Sequence, residues 1–248
     1  MGRTRSDYPL KDYYRDIVGT YDRVNRIFTF GRDKSWRKAA AKCCLETQPR
    51  SVLDICTGTG DFIFELARQA KEDVTLTGYD FSDEMLDAAR LKHRGLLENE
   101  SLASVDFVRG DVAAMPFKAE QYDAAGITFG MRNLIYRNSN AAKHLSEIRR
   151  VLRKGGHLTL LESSRPDNAL WRFLNTLYLR LVLPYIGGLI SGNFGAYRYL
   201  AMSSRNYYSV GEMTDILSRA GFGVTYSRPL FLGSVMLVVA EKTGEDQN

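Results

Sequence analysis

Val52-Leu53-Asp54-Ile55-Cys56-Thr57-Gly58-Thr59-Gly60-Asp61 is the stretch on which the reading of the chain turns. Val52, Leu53 and Ile55 form a short apolar run that ends in a Gly-rich turn. After the turn, Phe62-Ile63-Phe64-Glu65-Leu66-Ala67-Arg68 places its apolar residues at helical spacing. A strand, a glycine turn and a helix make the entry to a nucleotide-type site. Glycines let a ligand approach the backbone, and the helix N-terminus offers unpaired N–H donors. A dinucleotide fingerprint requires a third glycine three positions after Gly60, where Ile63 stands. The acid instead precedes the glycines, as Asp54 at the end of the strand. That arrangement suits a ligand carrying positive charge better than it suits a pyrophosphate.

Working outward, the chain alternates strand and helix from Ser51 onward. Strands are expected at about 51–55, 74–80, 105–108, 122–128 and 157–162. Helices are expected at about 60–70, from Ser82 or Asp83 onward, and at about 139–152, with Lys154-Gly155-Gly156 as the stop of the last. Such alternation implies a doubly wound, mostly parallel sheet with right-handed crossovers. Before the first strand, residues 8–48 read as a helical cap broken at Gly19 and Gly31. Lying over the active site or packing on the sheet edge is an equal expectation for it. After the fifth strand the alternation stops. Residues 168–206 form an apolar, aromatic insertion, interrupted by Arg172, Arg180, Pro184 and several glycines, so that it does not read as a membrane span. A helix at about 209–220 and two strands at about 222–228 and 233–241 close the chain, for seven strands in all. The end of the tail, 243–248, reads as frayed.

The 248 residues suffice for one large domain, 1–248, with a full core. The net charge of +5 is mild; the three cysteines are odd in number, two are adjacent and none forms Cys-x-x-Cys, which argues against a disulfide framework or a zinc site and fits a reducing cytosol. The N-terminus is polar and unlike a signal peptide. The three histidines have no metal-ligand spacing, so no metal is expected. Basic residues crowd the N-terminal block, from Arg3 and Arg5 to Lys42. Acids interleave with them, so a solvated helix surface is the plainest reading, an anionic membrane the next, and no nucleic-acid partner is expected.

Asp54-x-x-x-Gly58-x-Gly60 resembles motif I of the class I methyltransferases that use S-adenosyl-L-methionine (SAM). The commoner motif has a further Gly where this chain has Cys56. The resemblance implies that the seven-stranded sheet ends in an antiparallel last strand. Ligands of open α/β sheets lie at the C-terminal strand ends. There, Asp80 is placed to take ribose hydroxyls and Asp111 the adenine amino group. Phe81 and Met85 are placed against the ring, and Thr59, Val112 and Thr128 complete the candidate cofactor set. His144 is expected away from the strand ends, in a structural role.

A narrower resemblance follows from Tyr21-Asp22-Arg23-Val24-Asn25, from Phe30-Gly31 with Trp36-Arg37-Lys38, from Phe129-Gly130-Met131-Arg132-Asn133-Leu134 and from Tyr197-Arg198-Tyr199-Leu200. These resemble the ubiquinone/menaquinone biosynthesis C-methyltransferases over about residues 12–240. What the resemblance implies is methylation of a ring carbon of a polyprenylated hydroquinone. Arg132 would stabilise the developing phenolate, Asn133 would orient the ring hydroxyl, and Tyr21 and Tyr197 would supply hydroxyls from the cap and the insertion. A guanidinium stays protonated, so Arg132 is no direct base. The insertion would house the prenyl tail or dip into a bilayer, which implies a peripheral position at the cytoplasmic face of the membrane. A homodimer is carried as a further partner expectation. The competing readings are a methyltransferase of another lipid or small molecule, a nicotinamide-dependent oxidoreductase and a non-catalytic SAM-binding subunit.

Overall fold

The computed structural model describes residues 9–71 and 73–244; Arg3, Arg5 and residues 245–248 of the tail lie outside the described residues. Three helices come first: α1 (Leu10–Ile17), α2 (Tyr21–Phe28) and α3 (Arg32–Leu45). Gly31, at φ +72°, is the N-cap of α3, a left-handed conformation that glycine adopts without steric cost. The alternating core then runs β1 (Ser51–Ile55), α4 (Asp61–Gln69), β2 (Thr75–Asp80), α5 (Asp83–Leu97), β3 (Val105–Arg109), β4 (Tyr122–Thr128), α6 (Met131–Ile135), α7 (Ala141–Val151) and β5 (Leu152–Ser163). The insertion forms α8 (Ala169–Leu181), α9 (Leu183–Ser191) and α10 (Phe194–Arg205). The chain closes with α11 (Val210–Arg219), β6 (Phe222–Leu230) and β7 (Val235–Lys242).

The sheet has the order β3-β2-β1-β4-β5-β7-β6. The pairs among β1 to β5 are parallel, and β7 runs antiparallel to both of its neighbours. The order reverses between β1 and β4, and the crevice at that switch point opens at the strand ends carrying the candidate residues. Capping follows the local sequence. The Ser82 hydroxyl accepts from Met85 N–H at the start of α5, Asn168 and Asn193 do the same for α8 and α10, and Ser209 with Glu212 makes a capping box on α11.

One boundary differs from the sequence reading. Helix α7 ends at Val151, and Lys154-Gly155-Gly156 lie inside β5. Leu152 is already extended and pairs with Tyr122, and the register then shifts so that His157 pairs with Ala124. Leu152 is buried as the first residue of β5, and Gly155, at φ +71°, lies within the irregularity between the two registers.

The core has three parts. Helices α3, α4 and α5 cover one face of the sheet through Ala40, Cys44, Phe62, Leu66 and Ala89. Helices α7 and α11 cover the other through Ile148, Val151, Met213 and Leu217. A separate cluster of Ile17, Val24, Leu183, Ala196, Tyr197 and Ala201 joins α1 and α2 to α9 and α10. The third helix of the N-terminal block packs on the face of the sheet over β4 and β5 and not on its edge, and the first two pack with the insertion above the strand ends.

Candidate active site

Two cavities open at the C-terminal end of the sheet. The first, about 920 Å³, is lined by Gly58, Asp80, Phe81, Met85, Asp111, Val112, Thr128 and Asn133, with Tyr14 and Tyr21 from the cap. Gly58 N–H donates to Asp80 Oδ2 at 2.9 Å, and Ser82 N–H donates to Asp80 Oδ1 at 3.0 Å. Two backbone donors thus fix the carboxylate and leave lone pairs on both oxygens for a ligand. Burial raises the Asp80 pKa, opposed by these N–H groups. Asp111 caps the 3₁₀ turn Val112–Ala114 by accepting from Ala113 N–H at 2.9 Å, and its side chain remains 76% exposed at the cleft.

Cys56 lines the same cleft at φ +58°, which explains why a glycine is common at this position of the motif. Gly130 compensates for the side chain, because a Cβ there would come within 2.5 Å of Cys56 Cβ.

Three candidate residues, Asp54, Thr59 and Gly60, do not line the cleft; they build the turn that does. Asp54 is buried beneath it, where its Oδ2 accepts from Thr57 Oγ1 at 2.6 Å and its Oδ1 has no hydrogen-bond partner. Thr59 points away toward the cap and donates to Asp22 Oδ1 of α2 at 2.6 Å. Asp22 Oδ2 accepts from Lys92 of α5 at 2.8 Å, so the cap is tied to the glycine turn and to α5. Gly60 is the left-handed N-cap of α4, and the Phe64 ring fills the place of a Cβ. At a tight strand-to-helix turn only alternate groups can face the ligand, so motif membership and ligand contact separate.

His144 also departs from expectation. It lines the cleft, with Nδ1 2.7 Å from Leu134 O and Nε2 3.9 Å from Asp111 Oδ1. Helix α6, inserted directly after β4, brings the first turn of α7 beside the Val112–Ala114 turn.

The second cavity, about 410 Å³, is walled by the cap and the insertion, with Phe28, Trp36, Leu174, Tyr178, Leu179, Leu183, Tyr197 and Leu200 among its lining. Arg132 follows β4 but faces this cavity and not the cofactor cleft. Its N–H donates to Glu162 Oε2 at 3.0 Å, its Nε lies 3.9 Å from Glu162 Oε1, and Nη1 donates to Ser203 Oγ. Nε is buried with no hydrogen-bond partner. Glu162 is fully buried at the end of β5, where Ser163 N–H and Oγ both donate to Oε1 at 2.8 Å. A paired cation and carboxylate at one end of a mostly apolar chamber, whose lining also holds the buried Asp33–Arg37 pair, is costly to bury unless it is used or fully satisfied. Sequence reasoning singled out Arg132 but not Glu162, although the strand-end rule that selected Asp80 and Asp111 applies to it equally.

Leu10, Tyr14, Tyr21 and Phe129 line both cavities and form the partition between them. Tyr14 was not among the expected residues. A lone tyrosine at helical spacing is indistinguishable from core in a sequence.

A 3-2-1-4-5-7-6 sheet with a glycine turn after β1 and an acid at the end of β2 defines a class I methyltransferase, whose methyl donor is SAM. The chain belongs to the ubiE/COQ5 methyltransferase family, whose profile matches residues 2–242. It is 39% identical to the demethylmenaquinone methyltransferase of Thermus thermophilus, over 86% of this chain and 92% of that one. It is 36% identical to the ubiquinone/menaquinone biosynthesis C-methyltransferase UbiE of Geobacter sulfurreducens, over 94% of this chain and 88% of that one. Among solved structures, a SAM-dependent methyltransferase from Aquifex aeolicus shares the fold at a TM-score of 0.54 and 19% identity, over 78% of this chain and 82% of that one.

Proposed function

We propose that this enzyme methylates a ring carbon of a polyprenylated hydroquinone, demethylmenaquinol or the equivalent ubiquinone precursor, within a single domain spanning 1–248. The observation that carries the reading is the apolar chamber with Arg132 and Glu162 at its end, one wall of residues away from the cofactor cleft. The cleft fits SAM: Asp80 keeps lone pairs for the ribose hydroxyls, and the unpartnered Asp54 Oδ1 suits a ligand of positive charge. Asp111 is assigned to the adenine amino group, Phe81, Met85 and Val112 to the ring, and Gly58, Thr59, Gly60 and Thr128 to the shape of the cleft. When bound, SAM supplies an electrophilic methyl group on its sulfonium. The ring carbon becomes nucleophilic as the adjacent hydroxyl loses its proton to water, and after the methyl group has moved from sulfur to carbon, leaving the neutral thioether, the ring C–H proton passes to water and aromaticity returns. Arg132, with a spare Nε–H, stabilises the oxygen that becomes anionic, and Glu162 balances the guanidinium charge. Asn133 orients the ring hydroxyl, while Tyr21 and Tyr197 close the chamber against water.

The deciding experiment is expression in cells deficient in quinone methylation, with the quinone pool identified by mass spectrometry. Restored methylated quinone is expected. A pool that stays unmethylated while purified protein methylates a different lipid would favour the other-acceptor reading.

Asp54 makes cofactor binding depend on pH. Burial raises its pKa to about 7, reinforced by Asp80 and opposed by the Thr57 hydroxyl. Because the folded value is raised, the ligand-free fold favours the neutral acid. The stability this contributes is full below about pH 4 and is lost as pH rises through about 7. A cationic ligand has the opposite preference. SAM affinity should therefore rise from about pH 6 to about pH 8 with release of a proton, and Asp54→Asn should flatten the profile. Calorimetry in buffers of different ionisation enthalpy reads both effects. A profile in the unsubstituted protein that is already flat removes Asp54 from the ligand's field.

The insertion supports a peripheral position at the cytoplasmic face of the membrane. Ala169–Ser191 is long and apolar enough to cross a bilayer by composition, yet it divides into α8 and α9 at Val182, and only 22% of its most apolar stretch is buried. Leu170, Phe173 and Leu189 are at least 63% exposed, beside the basic Arg172 and Arg180. Flotation with anionic vesicles at low salt should recover the protein with lipid, and binding should weaken as salt rises. Protein left at the bottom of the gradient at low salt, and found as a dimer by light scattering, would assign this face to a homodimer.

A further inference from the structure

The partition between the two cavities contains a hydrogen-bond chain through Asn133 whose two tyrosines, Tyr14 and Tyr199, have no part in the mechanism above. Tyr199 of α10 donates its hydroxyl proton to Asn133 Oδ1 at 3.3 Å. Asn133 Nδ2 in turn donates to the Tyr14 hydroxyl oxygen at 2.5 Å. The two bonds run in one direction, from the insertion through α6 to the cap. Tyr14 accepts from Asn133, so its own proton points elsewhere. Its ring packs edge-on against Phe81 of the cofactor cleft, at 6.0 Å between centroids, and against Tyr21, at 6.3 Å. Those contacts hold the phenol at the partition, in the lining of both cavities. Hydrogen bonds in series polarise one another, so the last donor of such a chain is strengthened. Arg132 lies close enough for its charge to favour ionisation of Tyr14, although burial dominates and holds the phenol protonated. The phenol therefore stays a donor, beside a guanidinium whose Nε–H is also unpartnered.

We propose that Tyr14 is a second donor to the ring oxygen beside the methylated carbon, so that the phenolate is held between the Tyr14 hydroxyl and Arg132, and that Tyr199 is a positioning residue acting on Tyr14 through Asn133. This rests on the hydroquinone reading of the preceding subsection. The chemistry is a hydrogen bond that strengthens as the substrate hydroxyl ionises; no proton leaves Tyr14. A donor aimed at charge that develops during reaction acts mainly on turnover. Deleting the hydroxyl while keeping the ring leaves the packing on Phe81 and Tyr21 intact.

The test compares Tyr14→Phe and Tyr199→Phe with the unsubstituted enzyme on a short-chain demethylnaphthoquinol. Tyr14→Phe should lower kcat about 10–100-fold, with SAM affinity and melting temperature little changed. Tyr199→Phe should lower it by less, in the same direction. Independently of turnover, 1-naphthol bound to the SAM-free protein should ionise at a lower pH than in water, read by its absorbance. That depression should shrink in Tyr14→Phe and shrink partly in Tyr199→Phe. A normal kcat in Tyr14→Phe, or an unchanged naphthol titration, overturns the proposal. So does a loss of activity that follows melting temperature. If the unsubstituted enzyme methylates no quinol at all, the hydroquinone reading falls first and Tyr14's role falls with it.

Discussion

Arg132→Leu is expected to lower kcat about 10²–10³-fold and to destabilise the fold by about 3–5 kcal/mol. The two losses have different origins. Glu162 is fully buried and draws its charge balance from Arg132, so removing the cation strands a carboxylate in an apolar chamber. Turnover is expected to fall separately, because the proposed donor to the developing phenolate is gone. Two further variants separate the effects. Arg132→Lys keeps the charge and should keep most of the stability, yet lose about 10–10² in kcat. An ammonium is a point charge and does not reproduce the planar fork that engages Ser203 and a substrate oxygen together. The double variant Arg132→Leu/Glu162→Gln removes the stranded charge and should regain melting temperature without regaining kcat. SAM affinity should change little in any of them, since Arg132 does not line the cofactor cleft. If kcat follows melting temperature through the whole series, Arg132 only pins α6 to β5. A folded double variant with near-normal kcat excludes the catalytic role.

Asp80→Ala should weaken SAM binding by about 1.5–3 kcal/mol for each charge-assisted bond lost, roughly 10- to 150-fold per bond. The carboxylate is buried, fixed by Gly58 N–H and Ser82 N–H, and retains lone pairs toward the cleft. Part of the loss is indirect, because the same side chain holds the glycine turn to the start of α5. Asp80→Asn keeps one acceptor oxygen and the side-chain volume, and should lose less. Calorimetry on folded protein gives the affinity, and kcat at saturating SAM should fall far less than the affinity does. An Asp80→Ala protein that is folded and binds SAM normally removes this residue from the ribose.

Most of the sheet was legible because its signals are local. Each of the strands β1 to β5 is a short stretch carrying apolar or β-branched residues and ended by a turn, and Ser82 is a cap that a reader can see. The one boundary that misled, Lys154-Gly155-Gly156, shows the limit of such signals. A glycine pair ends a helix or turns a strand equally well, and burial of Leu152, three residues before the pair, chose between them. The acids at the ends of β2 and β3 were found by the same local logic, since a strand's direction dictates which end faces the crevice.

What the sequence determined by itself was therefore the fold class, the cofactor end of the sheet and the residue types available there. The tertiary structure alone decided which of those residues face a ligand. Asp54, Thr59 and Gly60 are adjacent to Gly58 in the chain but turn beneath or away from the cleft, because the backbone reverses within one turn. Arg132 and Glu162 are 30 residues apart and meet only because β4 and β5 are neighbours in the sheet. Tyr14 and Asn133, 119 residues apart, meet only because the cap folds across the strand ends. Periodicity and capping are properties of a few consecutive residues. A site assembled from α1, α6, α10 and β5 depends on contacts of long sequence separation, and no local pattern records them.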